Sequence, residues 1–180
     1  MQEYEKIHNR LVRSTASECV VLLNYDGVFP FAEPCEVDLY GNGARHTLYG
    51  GFGSGEVNNR EIISIERGLE EAGFLIGTKE WLDEYDKIKA VAHQNLLKQI
   101  KRNARKHHTL AMLEAMNTRK IACEYDIPIN PKSDVAIYVL SRSSGESIDR
   151  ENVKGDIQLL NSEIRDINLL NNKYKKFILY

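Results

Sequence analysis

Short apolar segments alternate with longer segments of helical periodicity along most of this chain. The apolar segments are interpreted as strands, at Cys19–Asn24, Val37–Tyr40, Phe74–Gly77, Val135–Leu140 and Phe177–Tyr180. This alternation is typical of proteins in which helices join parallel strands. The sequence therefore predicts an α/β fold, a three-layer sandwich in which a mostly parallel sheet of about five strands is flanked by helices.

Segments of helical periodicity lie between these strands. The chain begins with a predicted amphipathic helix over Glu3–Ser17, which we expect to pack on the sheet, and a long helix is predicted from Lys79. The apolar stripe of the long helix, which includes Trp81, is interpreted as core packing. Two further helices are predicted, one before Gly73 and one after the loop with Glu146. The residues expected to cap them are Asn58 or Asn59 for the first and Asn161 or Ser162 for the second.

Length and composition predict one soluble domain. A chain of 180 residues with 42% hydrophobic residues can bury one ordinary core, and 28% charged residues favour solubility. A formal net charge of −2 gives no reason to expect nucleic acid or a membrane as partner. The basic run Lys98–His108 is interpreted as the solvated face of a helix. We expect a single domain over residues 1–180.

Metal ligands, cofactor motifs and targeting segments are not evident in the sequence. The cysteines are widely spaced and have no metal-ligand spacing: Cys19, Cys35 and Cys123. Adjacent His107 and His108 point about 100° apart on a helix, and no acid or cysteine completes a set with them. The N-terminus is too charged for a signal peptide, and no apolar run approaches the length of a membrane span. We expect reduced thiols, a cytoplasmic location, and neither metal nor cofactor.

A glycine-rich segment follows the predicted strand Val37–Tyr40. Residues 41–55 hold six of the twelve glycines of the chain, which indicates close backbone approach or unusual dihedral angles. A dinucleotide fingerprint does not fit, because its third glycine falls on His46 and the next helix starts too late. A phosphate loop does not fit either, because Glu56 occupies its lysine position. A nucleotide-binding α/β protein therefore remains only as an alternative, to be tested by stabilisation with a nucleotide.

A polar loop follows the predicted strand Val135–Leu140 and carries Glu146 among small residues. Open α/β sheets bind ligands at the carboxyl ends of their strands, so Glu146 is the candidate reactive group. The alternative is that Ser143–Ser147 is a solvated turn with an ordinary surface carboxylate.

Two segments, residues 41–74 and 141–156, resemble the sandwich domain of family 3 glycoside hydrolases, the β-glucosidases and their relatives. In that family a Ser-Gly-Glu-Gly loop, followed by Asp-Arg and Lys-Gly-Asp, supplies the general acid/base glutamate. The matching position is Glu146, and the residues that match the rest of the motif are Asp149, Arg150, Lys154, Gly155 and Asp156. The sequence departs from the motif at Ser147, where the family has glycine, and at Ile148.

The resemblance also implies sugar contacts from the glycine-rich loop, which borders the sugar cleft in the family. Tyr49 and Phe52 occupy the positions of a lysine and a threonine there. The hypothesis is therefore that these aromatic side chains stack on a sugar instead of making polar contacts with it. The alternative is a glycine-rich turn with a purely structural role. The predicted substrate-binding residues are Tyr49, Gly50, Gly51, Phe52, Gly53, Ser54, Gly55, Ser144, Asp149 and Arg150.

As a function, the resemblance implies part of a retaining β-glycosidase that acts on a β-linked glucoside or oligosaccharide. Retaining enzymes need a second carboxylate as nucleophile. In the family this is an aspartate of a TIM barrel, and nothing in this chain matches its motif. The expected arrangement places the sandwich before the barrel, with the domain interrupted after Tyr180. The isolated chain should then be inactive, and an apolar strand edge would invite association with another copy. The alternative function is a non-catalytic carbohydrate-binding or interaction module.

Overall fold

The structure is a computed structural model that describes residues 2–21, 23, 27–50, 59–118, 122–144 and 149–180. These residues form four strands: β1 Glu36–Tyr40, β2 Leu75–Ile76, β3 Val135–Tyr138 and β4 Lys176–Leu179. They also form five α-helices: α1 Glu3–Thr15, α2 Ile65–Glu71, α3 Lys79–Lys106, α4 Ala111–Asn117 and α5 Asn161–Lys173. All neighbouring strands are parallel, in the order β2-β1-β3-β4. The predicted α/β fold, with a parallel sheet packed against helices, is confirmed.

The strand order reverses between β1 and β3. The chain moves outward from β1 to β2 on one side and from β3 to β4 on the other. Parallel crossovers are right-handed, so α2 lies on the opposite face of the sheet from α3 and α5. In the central pair Tyr40 lies opposite Tyr138, so β1 and β3 end at the same level.

An aromatic cluster fills the core on the face of the sheet covered by α3 and α5. Five of its rings are edge-to-face or stacked: Tyr40, Trp81, Tyr85, Tyr125 and Tyr174. The sixth member, Tyr138, joins the cluster through a hydrogen bond between its hydroxyl and that of Tyr125. Trp81 stacks on Tyr85 with 5.6 Å between ring centroids and 4° between planes. Each buried aromatic removes a large apolar area from water. The predicted core role of the apolar stripe of α3 is confirmed at Trp81.

Two carboxyl groups lie fully buried beside these rings. Asp38 accepts hydrogen bonds at Oδ2 from the Tyr174 hydroxyl, at 2.6 Å, and from the Lys132 backbone N–H, at 2.6 Å. Asp166, on α5, accepts one from Arg165 Nε at 2.8 Å. Burial raises the pKa of Asp166, and the bond from Arg165 opposes that rise. The core is therefore held by polar contacts as well as by apolar packing.

The N-terminal region differs from the prediction. Residues Ala16–Cys19 form a 3₁₀ helix, and the exposed Val20 and Val21 belong to no strand, so the predicted strand Cys19–Asn24 is wrong at these positions. No residue of α1 is buried, and its expected packing on the sheet is wrong too. Apolar character alone misled the prediction, because it does not say what a segment packs against.

Two helix starts also differ from the prediction. The cap of α2 is Ser64, whose hydroxyl accepts the Arg67 N–H at 3.1 Å, instead of Asn59. The first turn of α5 is capped by Glu124, which accepts the Asn161 and Ser162 N–H groups, each at 2.9 Å. A carboxylate from a distant segment satisfies these amides, so the cap has no local sequence signal.

No helix in the described parts of the chain combines the length and the apolar character needed to cross a membrane.

Candidate functional site

The loops that follow β1 and β3 leave the sheet side by side, where the strand order reverses. In an open parallel sheet this reversal opens a crevice beyond the carboxyl ends of the strands, where ligands bind. The two motifs singled out in the sequence, the glycine-rich segment and the loop with Glu146, follow these two strands. The topology therefore brings the stems of both motifs to one edge of the sheet.

The first turn of the β1 loop requires glycine. Gly41 has a φ of +93°, and a Cβ there would lie 2.3 Å from the Val139 carbonyl oxygen. The Gly43 N–H donates to the same oxygen at 3.1 Å. The backbone of the β1 loop thus lies directly against the end of β3. The predicted close backbone approach is confirmed at these two glycines.

Asn42 joins the two loops. Its Oδ1 accepts the Ser141 N–H at 2.7 Å, and its Nδ2 donates to the Ser141 carbonyl at 2.8 Å. The side chain thereby bonds to both backbone groups of one residue, as a neighbouring strand would. Both stems are fixed relative to each other before any ligand binds.

Arg45 anchors the β1 loop to the helices. Its guanidinium binds Glu66 through Nε at 2.7 Å and Nη2 at 2.8 Å, and Asp83 through Nη1 at 2.7 Å. These hydrogen bonds, first those to Glu66, raise the pKa of Arg45. Next to it, His46 Nε2 lies 2.6 Å from Asp86 Oδ1. The two residues tie the loop to α2 and α3.

Arg142 anchors the β3 loop from within. It forms a bidentate pair with Glu163, which is 1% exposed, and its Nε donates to the Asp156 carbonyl at 3.0 Å. Glu163 also accepts the Leu160 N–H at 2.9 Å. A buried pair of this kind is stable only when its remaining hydrogen-bonding groups are satisfied, as they are here.

Residues 150–156 form a closed turn. Arg150 Nε donates to Asp156 Oδ1 at 2.8 Å, and the Glu151 N–H donates to Asp156 Oδ2 at 2.7 Å. Lys154 Nζ donates to Asn161 Oδ1 at 2.5 Å, which connects the turn to α5. The Asp-Arg and Lys-Gly-Asp parts of the motif therefore include mutual contacts that shape the loop.

The structure describes some of the predicted site residues and not others. Those outside the described residues are Glu146, Gly51, Phe52, Gly53, Ser54 and Gly55. Those within them are all exposed: Tyr49, Gly50, Ser144, Asp149 and Arg150. The guanidinium of Arg150 is bound to Asp156, and its contact with substrate stays a prediction.

A cavity of about 690 Å³ opens beside the two stems. Its wall includes Asn42, Ser143 and Asp156 from the loops, and Tyr85 and Gln99 from α3. Amide, hydroxyl and aromatic groups around one cavity can hydrogen-bond to a polar ligand and pack on its apolar side. Trp81 stacks on Tyr85, so the single tryptophan adjoins the cavity wall.

Two half-buried groups on the cavity wall have shifted pKa values. Burial lowers the pKa of Lys89 and raises the pKa of the Cys123 thiol. A thiol shifted in this direction is protonated at neutral pH and is a poor nucleophile. Within the described ranges no group of three or more His, Cys, Asp or Glu side chains is positioned to hold a metal ion.

Sequence reasoning missed the anchors Asn42, Arg45, Arg142 and Glu163. One of them had a signal, because a glutamate at the third position of a helix is a common capping residue. The others had none, because their partners are distant in sequence and meet only when the sheet has formed.

The fold defines the chain as an α/β domain with a parallel sheet whose strand order reverses between β1 and β3. Neither the known protein-family models nor the curated proteins give a match.

Solved structures do give a match, to β-glucosidase 3B from Thermotoga neapolitana. Its complex with glycerol is 28% identical to this chain with a TM-score of 0.64. Its complexes with α-D-glucose and with glucose are 27% and 26% identical, with TM-scores of 0.63 and 0.58. The matches cover 97–99% of this chain, which spans only 23–24% of that protein. The chain is therefore similar to one part of a β-glucosidase.

Proposed function

We propose that this chain is the α/β sandwich domain of a family 3 glycoside hydrolase and supplies the general acid/base, Glu146, to a retaining β-glycosidase. The observation that carries the proposal is the meeting of the two motif-bearing loops at the strand reversal, with their stems joined by Asn42 and Ser141. The likeness to part of β-glucosidase 3B supports it independently.

In this mechanism Glu146 acts twice. As an acid it donates a proton to the glycosidic oxygen as the aglycone leaves, and as a carboxylate it later takes a proton from the attacking water. The nucleophile is a second carboxylate about 5–5.5 Å away, supplied by the rest of the enzyme. This chain fixes the loop that carries Glu146, through Arg142 at one stem and the Arg150–Asp156 pair at the other.

A chimera tests the proposal. This chain replaces the matched segment of β-glucosidase 3B, and hydrolysis of p-nitrophenyl β-D-glucoside is measured. Glu146→Gln should lower kcat by roughly 10²–10⁴-fold, which is the usual contribution of a general acid/base. The matched control is Glu33→Gln, which makes the same change at an exposed glutamate before β1, at the other end of that strand from the candidate site, and should leave kcat near its starting value. Equal activity of the two variants would contradict the role of Glu146.

The isolated chain provides a second test. Because the nucleophile lies elsewhere, residues 1–180 alone should not hydrolyse the glucoside. Turnover by this chain that Glu146→Gln abolishes would show that it holds a complete site.

Carbohydrate binding without catalysis is the second candidate, favoured by the cavity lined with Tyr85, Asn95 and Gln99. Glucose or cellobiose that bound there would change the surroundings of Tyr85 and hence the fluorescence of Trp81, which stacks on it. A saturable change in the isolated chain, together with an inactive chimera, would favour this candidate over the glycosidase.

A further inference from the structure

Helix α1 carries its apolar side chains on the outside of the protein. Tyr4, Ile7, Leu11 and Val12 follow the spacing of one helical face, and they are 52–66% exposed. No residue of the helix is buried. Amphipathic helices normally turn this face toward a core, so its exposure indicates a surface that another structure covers.

The polar side of α1 is the side that contacts the protein. Glu5 pairs with Arg60 at 2.9 Å, and Arg13 pairs with Glu71 at 2.5 Å. Glu5 is the least exposed residue of the helix, with 24% of its side chain accessible. Two ion pairs thus hold the helix in an orientation that keeps its apolar face outward.

The exposed apolar surface continues beyond the helix. Val20, Val21 and Leu23 follow it in the chain and are 75–93% exposed. Further exposed apolar residues flank the glycine-rich segment on both sides: Leu48, Tyr49, Ile62 and Ile63. The Glu5–Arg60 pair connects the start of α1 to the second of these flanks.

We propose that the outward face of α1, with Val20, Val21 and Leu23, is the docking surface for the remaining part of the glycosidase, the part that carries the nucleophile. The inference rests on the proposed function. The match to one structure of β-glucosidase 3B covers 99% of this chain, which leaves too few residues unmatched to omit the 13-residue α1. Most of that protein lies outside the match and can cover this face.

A retaining site needs a second carboxylate close to the general acid/base. The part of the enzyme that carries this nucleophile must therefore contact the present chain.

Hydroxyl-radical footprinting with mass spectrometry tests the inference. In the free chain, Tyr4, Ile7 and Leu11 should be labelled strongly, whereas the buried Leu82 and Leu170 should not. In the chimera with β-glucosidase 3B, labelling of the three α1 residues should fall several-fold. Met112 on α4 is 71% exposed, compared with 52–60% for the three α1 residues; it is the internal control and should keep its labelling.

A variant pair adds a test by substitution. Ile7→Glu with Leu11→Glu should separate the melting of the chimera into two transitions and restore labelling of Tyr4. Met112→Glu introduces the same charge on another exposed apolar position and should change neither.

The outcomes separate this inference from the proposed function. Unchanged α1 labelling in a chimera whose hydrolysis depends on Glu146 would overturn the docking surface and leave the function standing. If labelling of α1 falls in the chimera but Glu146→Gln leaves its hydrolysis unchanged, the docking surface stands and the proposed role of Glu146 is overturned. Weak labelling in the free chain would overturn the inference without any chimera, because a second copy or the chain itself would already cover the face. Sedimentation would then identify the second copy.

Discussion

Helices α1 and α5 are built alike but packed in opposite ways. Both have 13 residues, and each has a glutamate at its third position that accepts the N–H of the preceding cap residue and binds an arginine. In α5 the pair Glu163–Arg142 is buried and Leu170 is fully inaccessible. In α1 the pair Glu5–Arg60 is open to solvent and Leu11 is exposed. Local sequence forms the helix, and the partner surface decides which side is buried.

The two glutamates should differ most in their effect on stability. Glu163→Ala leaves the Arg142 guanidinium buried without its partner, which should cost about 3–5 kcal/mol. Glu5→Ala removes an exposed pair and should cost less than about 1 kcal/mol. Urea unfolding of both variants measures the difference. Equal costs would mean that the two helices are equally anchored and would break the comparison.

The two leucines should show the next largest difference. Leu170→Ala opens a cavity in the core and should destabilise the chain by about 2–5 kcal/mol. Leu11→Ala removes an exposed side chain and should stay within about 0.5 kcal/mol of the parent. The midpoints of thermal or urea unfolding provide the comparison. If Leu11→Ala lowered the stability about as much as Leu170→Ala, the Leu11 side chain would have to be buried against the rest of this protein.

The smallest expected effect is the pH dependence of the free energy of unfolding that Asp166 of α5 contributes. Burial raises the pKa of Asp166 above its ordinary 3.8, so the folded state binds the proton more tightly than the unfolded state. The stability from this proton is complete below the ordinary pKa and is lost as pH rises through the folded value. Asp166→Asn keeps a neutral group there and should be more stable than the parent at neutral pH.

That advantage should shrink as pH falls toward 3.8, because the parent then gains its proton. Urea unfolding at a series of pH values measures it, and Asp134→Asn, at an exposed carboxylate, is the control. A difference independent of pH would contradict the raised pKa of Asp166.

The parts of the fold that the sequence predicted are those governed by local pattern. Val135–Leu140 was recognisable as a strand because a continuous apolar run suits a sheet buried on both faces, and Val37–Tyr40 because only Asp38 interrupts a short apolar segment. Val20 and Val21 have the same apolar character without forming a strand, and α1 has a helical pattern that faces outward. Pattern alone does not contain the partner surface, so these positions could not be placed.

The candidate site shows the same division. Gly41 was notable in the sequence because it follows a strand in a glycine-rich run, and its contact with Val139 explains why. The bonds of Asn42 to Ser141 and of Arg142 to Glu163 join residues from different loops and helices. No single-sequence signal pairs them, because Asn42 meets Ser141 only when β1 and β3 lie side by side, and Arg142 meets Glu163 only when α5 packs beside the end of β3.

The most direct test of the central claim, that Glu146 is the general acid/base, is chemical rescue of Glu146→Ala in the chimera. The substrate is 2,4-dinitrophenyl β-D-glucoside, whose leaving group needs no acid, so that attack of water on the glycosyl enzyme becomes the slow step. Azide attacks without a general base. We expect it to raise the rate and to yield β-glucosyl azide, while the parent chimera yields glucose alone. A folded variant that hydrolyses the substrate at the parental rate, without an azide product, would contradict the claim.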